Sequence, residues 1–274
     1  FQIDVERFVS IDTKEICGIK YSVKAINSEA LVEFTPYLDA DVENEDSNYE
    51  EKFWQVLDRG AKENTGYLVS KTIENNFGVE RFAICNYMVS SLYSDQGQDG
   101  KFEAIVSNDS VLTRSGLKIG PGQSVSLEKI IATTTTRDHK EEDLAHTAGD
   151  LARVAAESGY EKLFERHAIK WRQRWDIADV VIKNNPKLQQ GIRYNIFQLF
   201  STYYGDDLRL NIGPKGFTGE NGRRYSKSTG IGLYLCKKMC EKMNIGLSAS
   251  STSGRGTTIT MDFPTESYLK EAGV

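Results

Sequence analysis

The carboxylates between Asp39 and Glu51 are the first place where residue types and spacing could hold a metal ion. Asp39, Asp41 and Glu43 fall at positions 1, 3 and 5 of a calcium-loop pattern, with Glu50 at position 12. That loop needs glycine at position 6 for its sharp turn and a helix leading into it. Position 6 is Asn44, and the preceding Val32-Glu33-Phe34-Thr35-Pro36 is strand-like, so the run reads as a solvated acidic loop. His139, His146 and His167 have no metal-ligand spacing with cysteine or carboxylate, and no metal site is expected. His167 shares an apolar face with Trp171, which suits a hydrogen-bonded interfacial histidine better than a catalytic one. No Gly-x-Ser-x-Gly elbow, Walker loop or Cys-His nucleophile pair occurs. Core packing accounts for Trp54, Trp171 and Trp175 better than a sugar-stacking platform does. Of the four cysteines, only Cys236 and Cys240 are close, at a spacing that makes them neighbours on one helix face. All four read as reduced thiols in a cytoplasmic protein.

The elements that must position these groups change character along the 274 residues. Ile19, Tyr21, Val23 and Ala25 alternate with polar residues, the period of a half-buried strand. Further strands are expected at 31–34, 66–72, 81–89, 101–106 and 124–136. Asn75-Asn76 and Gly120-Pro121-Gly122 supply turn chemistry between them. The opening residues are already in a strand pattern and read as starting inside a domain. Serial strands with polar turns point to an antiparallel β-sandwich. After Arg137 the period becomes helical. The Ala-rich stretch 143–159 leads into Leu163, His167, Trp171 and Trp175, which recur on one helix face. A second helix is expected to start at Pro186 and carry Leu188, Ile192, Ile196, Leu199 and Tyr203. A last helix over about 230–244 precedes a last strand with Thr257, Ile259, Met261 and Phe263.

The net charge of −5, with lysine and arginine scattered along the chain, argues against nucleic acid as a partner. No apolar run reaches the roughly 20 residues that a bilayer span needs, so no membrane segment is expected.

Three stretches carry a resemblance that spacing alone does not. Trp171-Arg-Gln-Arg-Trp-Asp-Ile-Ala-Asp-Val-Val, Gln189-Gln-Gly-Ile-Arg-Tyr-Asn-Ile-Phe-Gln-Leu and Gly216-Phe-Thr-Gly-Glu220 resemble glycoside hydrolase family 65. That family holds the maltose, kojibiose and trehalose phosphorylases. Phe34-Thr-Pro-Tyr-Leu-Asp and Asn48-Tyr-Glu-Glu-Lys-Phe-Trp54 are similar to its N-terminal β-sandwich, nearest the maltose phosphorylases. The resemblance covers about residues 1–220. It implies a partial antiparallel β-sandwich over 1–137, a helical linker over 138–185 and the start of an (α/α)6 barrel over 186–220. It also implies a disaccharide partner, inorganic phosphate as co-substrate and a homodimer as in the parent family.

The parent chemistry is inverting phosphorolysis. A carboxylic acid protonates the glycosidic oxygen while phosphate attacks the anomeric carbon from the opposite face. The family's acid is the glutamate of a Trp-Asp-Thr-Glu motif that comes shortly after the Gly-Phe-Thr-Gly-Glu loop. No tryptophan occurs after Trp175, and Glu220 belongs to the preceding loop, so the resemblance assigns no catalytic residue here. The chain is expected to be inactive.

In place of that motif stands Asn221-Gly-Arg-Arg-Tyr-Ser-Lys-Ser-Thr-Gly-Ile-Gly-Leu-Tyr-Leu235, then Cys236-Lys-Lys-Met-Cys-Glu-Lys. This resembles the ATP lid and second glycine box of sensor histidine kinases. Ser253-Gly-Arg-Gly-Thr-Thr-Ile-Thr-Met-Asp-Phe263 is similar to the closing hairpin of the same domain. Residues 221–274 are therefore expected to form a small α+β fragment of an HSP90-like ATPase domain. The resemblance makes Gly230, Ile231, Gly232 and Leu233 a vestigial site for ATP and magnesium. In the complete domain those glycines let a helix N-terminus approach the phosphates. The phosphorylated histidine, the magnesium-binding asparagine box and the adenine-reading Asp-x-Gly-x-Gly box belong upstream, where phosphorylase-like sequence stands. Lys215-Gly-Phe-Thr-Gly-Glu220 fits both families and marks the junction. Three readings compete: a phosphorylase-derived fragment, a nucleotide-binding signalling module, and a non-enzymatic sandwich that binds sugar or a partner.

Overall fold

The computed structural model describes residues 1–42, 52–75, 78, 80–202, 237, 240, 241, 245–252 and 256–262. It divides the chain into two units, Phe1–Ala178 and Asp179–Val274.

Eleven strands build the first unit: β1 (Gln2–Val9), β2 (Ile16–Lys24), β3 (Ala30–Phe34), β4 (Tyr37–Asp39), β5 (Trp54–Lys62), β6 (Thr65–Thr72), β7 (Ala83–Ser94), β8 (Gly97–Asp99), β9 (Glu103–Val106), β10 (Ser110–Ile119) and β11 (Ser124–Thr135). Seven form an antiparallel sheet in the order β1-β2-β11-β7-β6-β5, with β8 on β7. The other four form the second layer in the order β3-β10-β4, with β9 also on β10. This is the expected antiparallel sandwich. β11 anchors the larger sheet because it pairs on both sides, Leu127 standing opposite Tyr21 of β2 and Leu92 of β7.

Alternation gives the larger sheet two apolar faces. Val23, Leu92, Val125 and Leu127 meet Phe34 and Ile119 of the smaller sheet. On the opposite face Phe8, Ile16, Cys85, Tyr87, Ile130 and Ala132 meet two helices, α1 (Leu144–Ser158) and α2 (Tyr160–Ala178). The buried side of α1 is Leu144, Ala148, Gly149, Ala152 and Ala155, small enough for the helix to lie close to β7 and β11. Gly149 has no room for a methyl group without crowding, since its Cβ would stand 3.1 Å from the Tyr87 ring. Gly159, with φ of 79°, ends α1, and its N–H donates to Ala155 O and Ala156 O. α2 starts at once, and the Glu128 carboxylate accepts from the Tyr160 N–H at 3.0 Å, where the helix dipole favours an anion.

The second unit contains α3 (Pro186–Thr202) and a hairpin of β12 (Gly246–Thr252) and β13 (Gly256–Asp262). α3 starts at the expected proline. Asn185 Oδ1 accepts from the Leu188 N–H at 3.1 Å, and Arg193 clasps Asp179 through two nitrogens at 2.9 and 2.6 Å. The expected last strand is β13, which carries Thr257, Ile259 and Met261. Most of the helix expected over 230–244 lies outside the described residues, as do residues 43–51 of the acidic run.

Candidate functional site

The vestigial nucleotide site expected at Gly230, Ile231, Gly232 and Leu233 lies outside the described residues. Within the first unit, the sandwich opens a cleft of about 670 Å³ between its two layers. Ile19, Tyr21 and Val23 of β2 with Leu127 and Lys129 of β11 form one wall. Residues 30–37, from β3 into β4, form the other, and Phe1 and Ile3 stand at the rim. The Tyr21 and Phe34 rings meet edge to face with centroids 6.0 Å apart.

The walls are apolar because they continue the inter-sheet core outward. The polar exceptions are Glu33, Thr35 and the cation Lys129. The Lys129 Nζ donates a hydrogen bond to the main-chain oxygen of Tyr37 and lies 5.7 Å from that ring's centroid. Burial pushes the Lys129 ammonium below its ordinary pKa, while nearby Cys17 acts in the opposite sense. Burial likewise pushes the Cys17 thiol up, against the opposing effect of Lys129. Glu33, the cleft's carboxylate, reaches outward to Arg114 Nε at 3.7 Å. Among the described residues the cleft thus holds no pair of carboxylates flanking a bond, the arrangement glycoside cleavage uses. Its thiol neighbour is not a ready nucleophile either, and burial takes the Cys85 thiol on the opposite face up to about 12. The chemistry available is binding.

A second, polar groove of about 570 Å³ lies where the β5–β6 turn meets α1, lined by Glu63, Asn64, Tyr93, Arg153 and Glu157 among others. Two of its polar side chains are already engaged. Asn64 Nδ2 donates to Ser90 O at 2.8 Å, and Arg153 donates to the Tyr87 hydroxyl at 2.7 Å.

His167 is a hydrogen-bonded interfacial histidine, as expected, whereas Trp54, Trp171 and Trp175 are half-buried and stand outside the two core clusters. His167 packs against Phe8 with ring centroids 5.3 Å apart, and its Nδ1 accepts from the Ile11 N–H at 3.3 Å. Trp171 and Trp175 continue that row of rings along α2, and Trp54 packs edge-on against Phe82. Among the described residues, no group of three or more His, Cys, Asp or Glu side chains could hold a metal ion. No described helix is long and apolar enough to cross a membrane. Sequence reasoning missed Lys129. The available signal was a lysine within Val125, Leu127 and Ile131, the alternating residues on the same face of β11.

Comparison with known proteins accounts for both ends of the chain. Residues 1–174 match the family model "Glycosyl hydrolase family 65, N-terminal domain". Residues 168–267 match "Histidine kinase-, DNA gyrase B-, and HSP90-like ATPase", a span that begins inside α2 and overlaps the phosphorylase likeness. Maltose phosphorylase of Bacillus subtilis (strain 168) is 46% identical over 239 residues, which cover 85% of this chain and 30% of that protein. Sensor histidine kinase YxdK of the same organism is 48% identical over 50 residues, 18% of this chain and 15% of the kinase. The solved structure "Putative kojibiose phosphorylase from human microbiome" superposes with a TM-score of 0.66 at 18% identity, over 78% of this chain and 27% of that one. At that identity the superposition shows the shared fold alone. The chain spans less than a third of the phosphorylases it matches.

Proposed function

This chain belongs to glycosyl hydrolase family 65 through its N-terminal domain, with a histidine-kinase-type ATPase segment behind it, and we propose that it is a catalytically silent derivative of a maltose phosphorylase. The observation that carries this reading is the sequence immediately after Gly216-Phe-Thr-Gly-Glu220. Where the parent family places its Trp-Asp-Thr-Glu acid, the chain continues as Asn221-Gly-Arg-Arg-Tyr-Ser-Lys, and no tryptophan occurs beyond Trp175.

In the parent reaction the C1–O bond of an α-glucosyl disaccharide breaks as a phosphate oxygen bonds to C1. The acid's proton goes to the departing sugar oxygen. Without that acid the leaving group departs as an alkoxide, and general-acid assistance is worth roughly 10²–10⁴ in rate. What remains is a scaffold whose front section can still fold. Free Cys17, Cys85 and Cys240 support a cytoplasmic location, and the parent family supports a disaccharide ligand and a homodimer.

The purified chain incubated with maltose and inorganic phosphate is expected to release no glucose 1-phosphate above background. Turnover comparable with an ordinary phosphorylase overturns the proposal. A second reading, nucleotide binding through Gly230, Ile231, Gly232 and Leu233, draws its support from the kinase likeness of the C-terminal stretch.

A further inference from the structure

We propose that the cleft between the two sheets is a binding site for an amphipathic carboxylate, its apolar tail between β2 and β3 and its anionic head on Lys129. Charge complementarity and shape both point to that occupant. The walls offer Ile19, Tyr21, Val32 and Phe34 to an apolar chain, in a space of about 670 Å³. That lies within the usual range for small-molecule sites. A sugar would meet too few polar partners on such walls to replace its lost hydration.

Lys129 fixes the sign of the head group. An ammonium has three donors, and the Tyr37 carbonyl takes one of them. Among the described residues no carboxylate pairs with Lys129. The cleft's own Glu33 is turned to Arg114, and the Cys17 thiol beside the lysine is held neutral by burial. A cation set among apolar side chains without a counter-ion is costly, and an arriving carboxylate would supply the charge-assisted hydrogen bonds that it lacks. The rim is open: Leu31 is 73% exposed and Ile3 is 55% exposed. This inference goes beyond the phosphorylase reading and does not depend on catalysis, so a silent enzyme leaves it intact.

The test is calorimetric titration of the whole chain with decanoate and, separately, with 1-decanol. Decanoate is expected to bind saturably, one per chain and more tightly than decanol. Lys129→Met should weaken decanoate by about tenfold or more, the worth of a hydrogen bond to a charged group, and leave decanol unchanged. Lys129→Arg should restore decanoate binding. Absence of saturable decanoate binding, or equal affinity of the wild-type chain for decanoate and decanol, overturns the proposal. So does a chain-to-chain association that Lys129→Met abolishes while decanoate leaves it intact, which would put a second copy in the cleft. Should Lys129→Met lose its β-sheet circular dichroism, the wild-type comparison of the two ligands and Lys129→Arg decide the matter.

Discussion

His167 Nδ1 accepts a hydrogen bond from the Ile11 N–H at 3.3 Å, which ties α2 to the turn between β1 and β2. Phe8, Phe164 and Trp171 surround the imidazole, and the Arg166–Asp12 ion pair at 2.6 Å joins the same helix to the same turn. An acceptor nitrogen has no proton, so this contact requires neutral imidazole. Burial lowers the His167 pKa from its ordinary 6.5. The unfolded chain therefore binds more protons than the folded one in mildly acidic solution. Stability from this contact is present above the unfolded value and is lost as the pH falls through the folded one. Melting temperature should drop more steeply between about pH 7.5 and about pH 5.5 for the wild-type chain than for His167→Gln. Equal pH slopes would show that His167 does not couple α2 to protonation.

Gly18 of β2 sits beneath the same helix. A Cβ there would stand 2.8 Å from the Phe8 ring and 3.2 Å from the Tyr160 ring. Phe8 is 7% exposed and Tyr160 is 1% exposed, so neither ring has room to retreat. Gly18→Ala should destabilise the first unit by about 1–3 kcal/mol, the usual cost of overpacking. Urea unfolding monitored by circular dichroism reads this directly, and an unchanged midpoint would show that the sheet–helix contact is looser than described.

Binding of ATP should be weak. Gly230 and Gly232 could present backbone donors to phosphate, but the upstream sequence has neither the asparagine box nor the Asp-x-Gly-x-Gly box of a complete kinase domain. Titration with ATP and Mg²⁺ should show no saturable heat in the micromolar range. A tight site abolished by an Asp or Asn substitution would mean that residues 168–220 contribute more than phosphorylase sequence.

Much of the architecture was legible because its physics is local. Ile19, Tyr21 and Val23 alternate with polar residues in β2, Pro186 announces α3, and the i+4 row from Leu163 to Trp175 is a face of α2. In the first unit β4, β5, β8 and β10 escaped notice, β5 and β10 for identifiable reasons. β10 buries Thr113 and Ser115 on the same face as Val111, so small hydroxyl residues interrupt its apolar rhythm. In β5 the register shifts between Val56 and Asp58, which breaks the period of two that a reader looks for. The cleft was not legible at all. It forms where β11 faces a segment more than ninety residues earlier, and only that meeting makes Lys129 different from any other strand lysine.

The claim on which the rest depends is that this chain joins two stretches of different descent near residues 215–220, with a front unit that stands by itself. Light trypsin digestion with mass spectrometry of the fragments tests it most directly. Arg209, Arg223, Arg224 and Lys227 flank the hexapeptide that fits both families and Lys215 opens it, in a stretch with five glycines from Gly205 to Ser228. Cleavage should start at those residues and leave a β-rich fragment that contains Phe1–Ala178 and outlasts everything downstream. A chain that resists cleavage throughout 205–228 and melts in one sharp transition would contradict the account and show one cooperative domain.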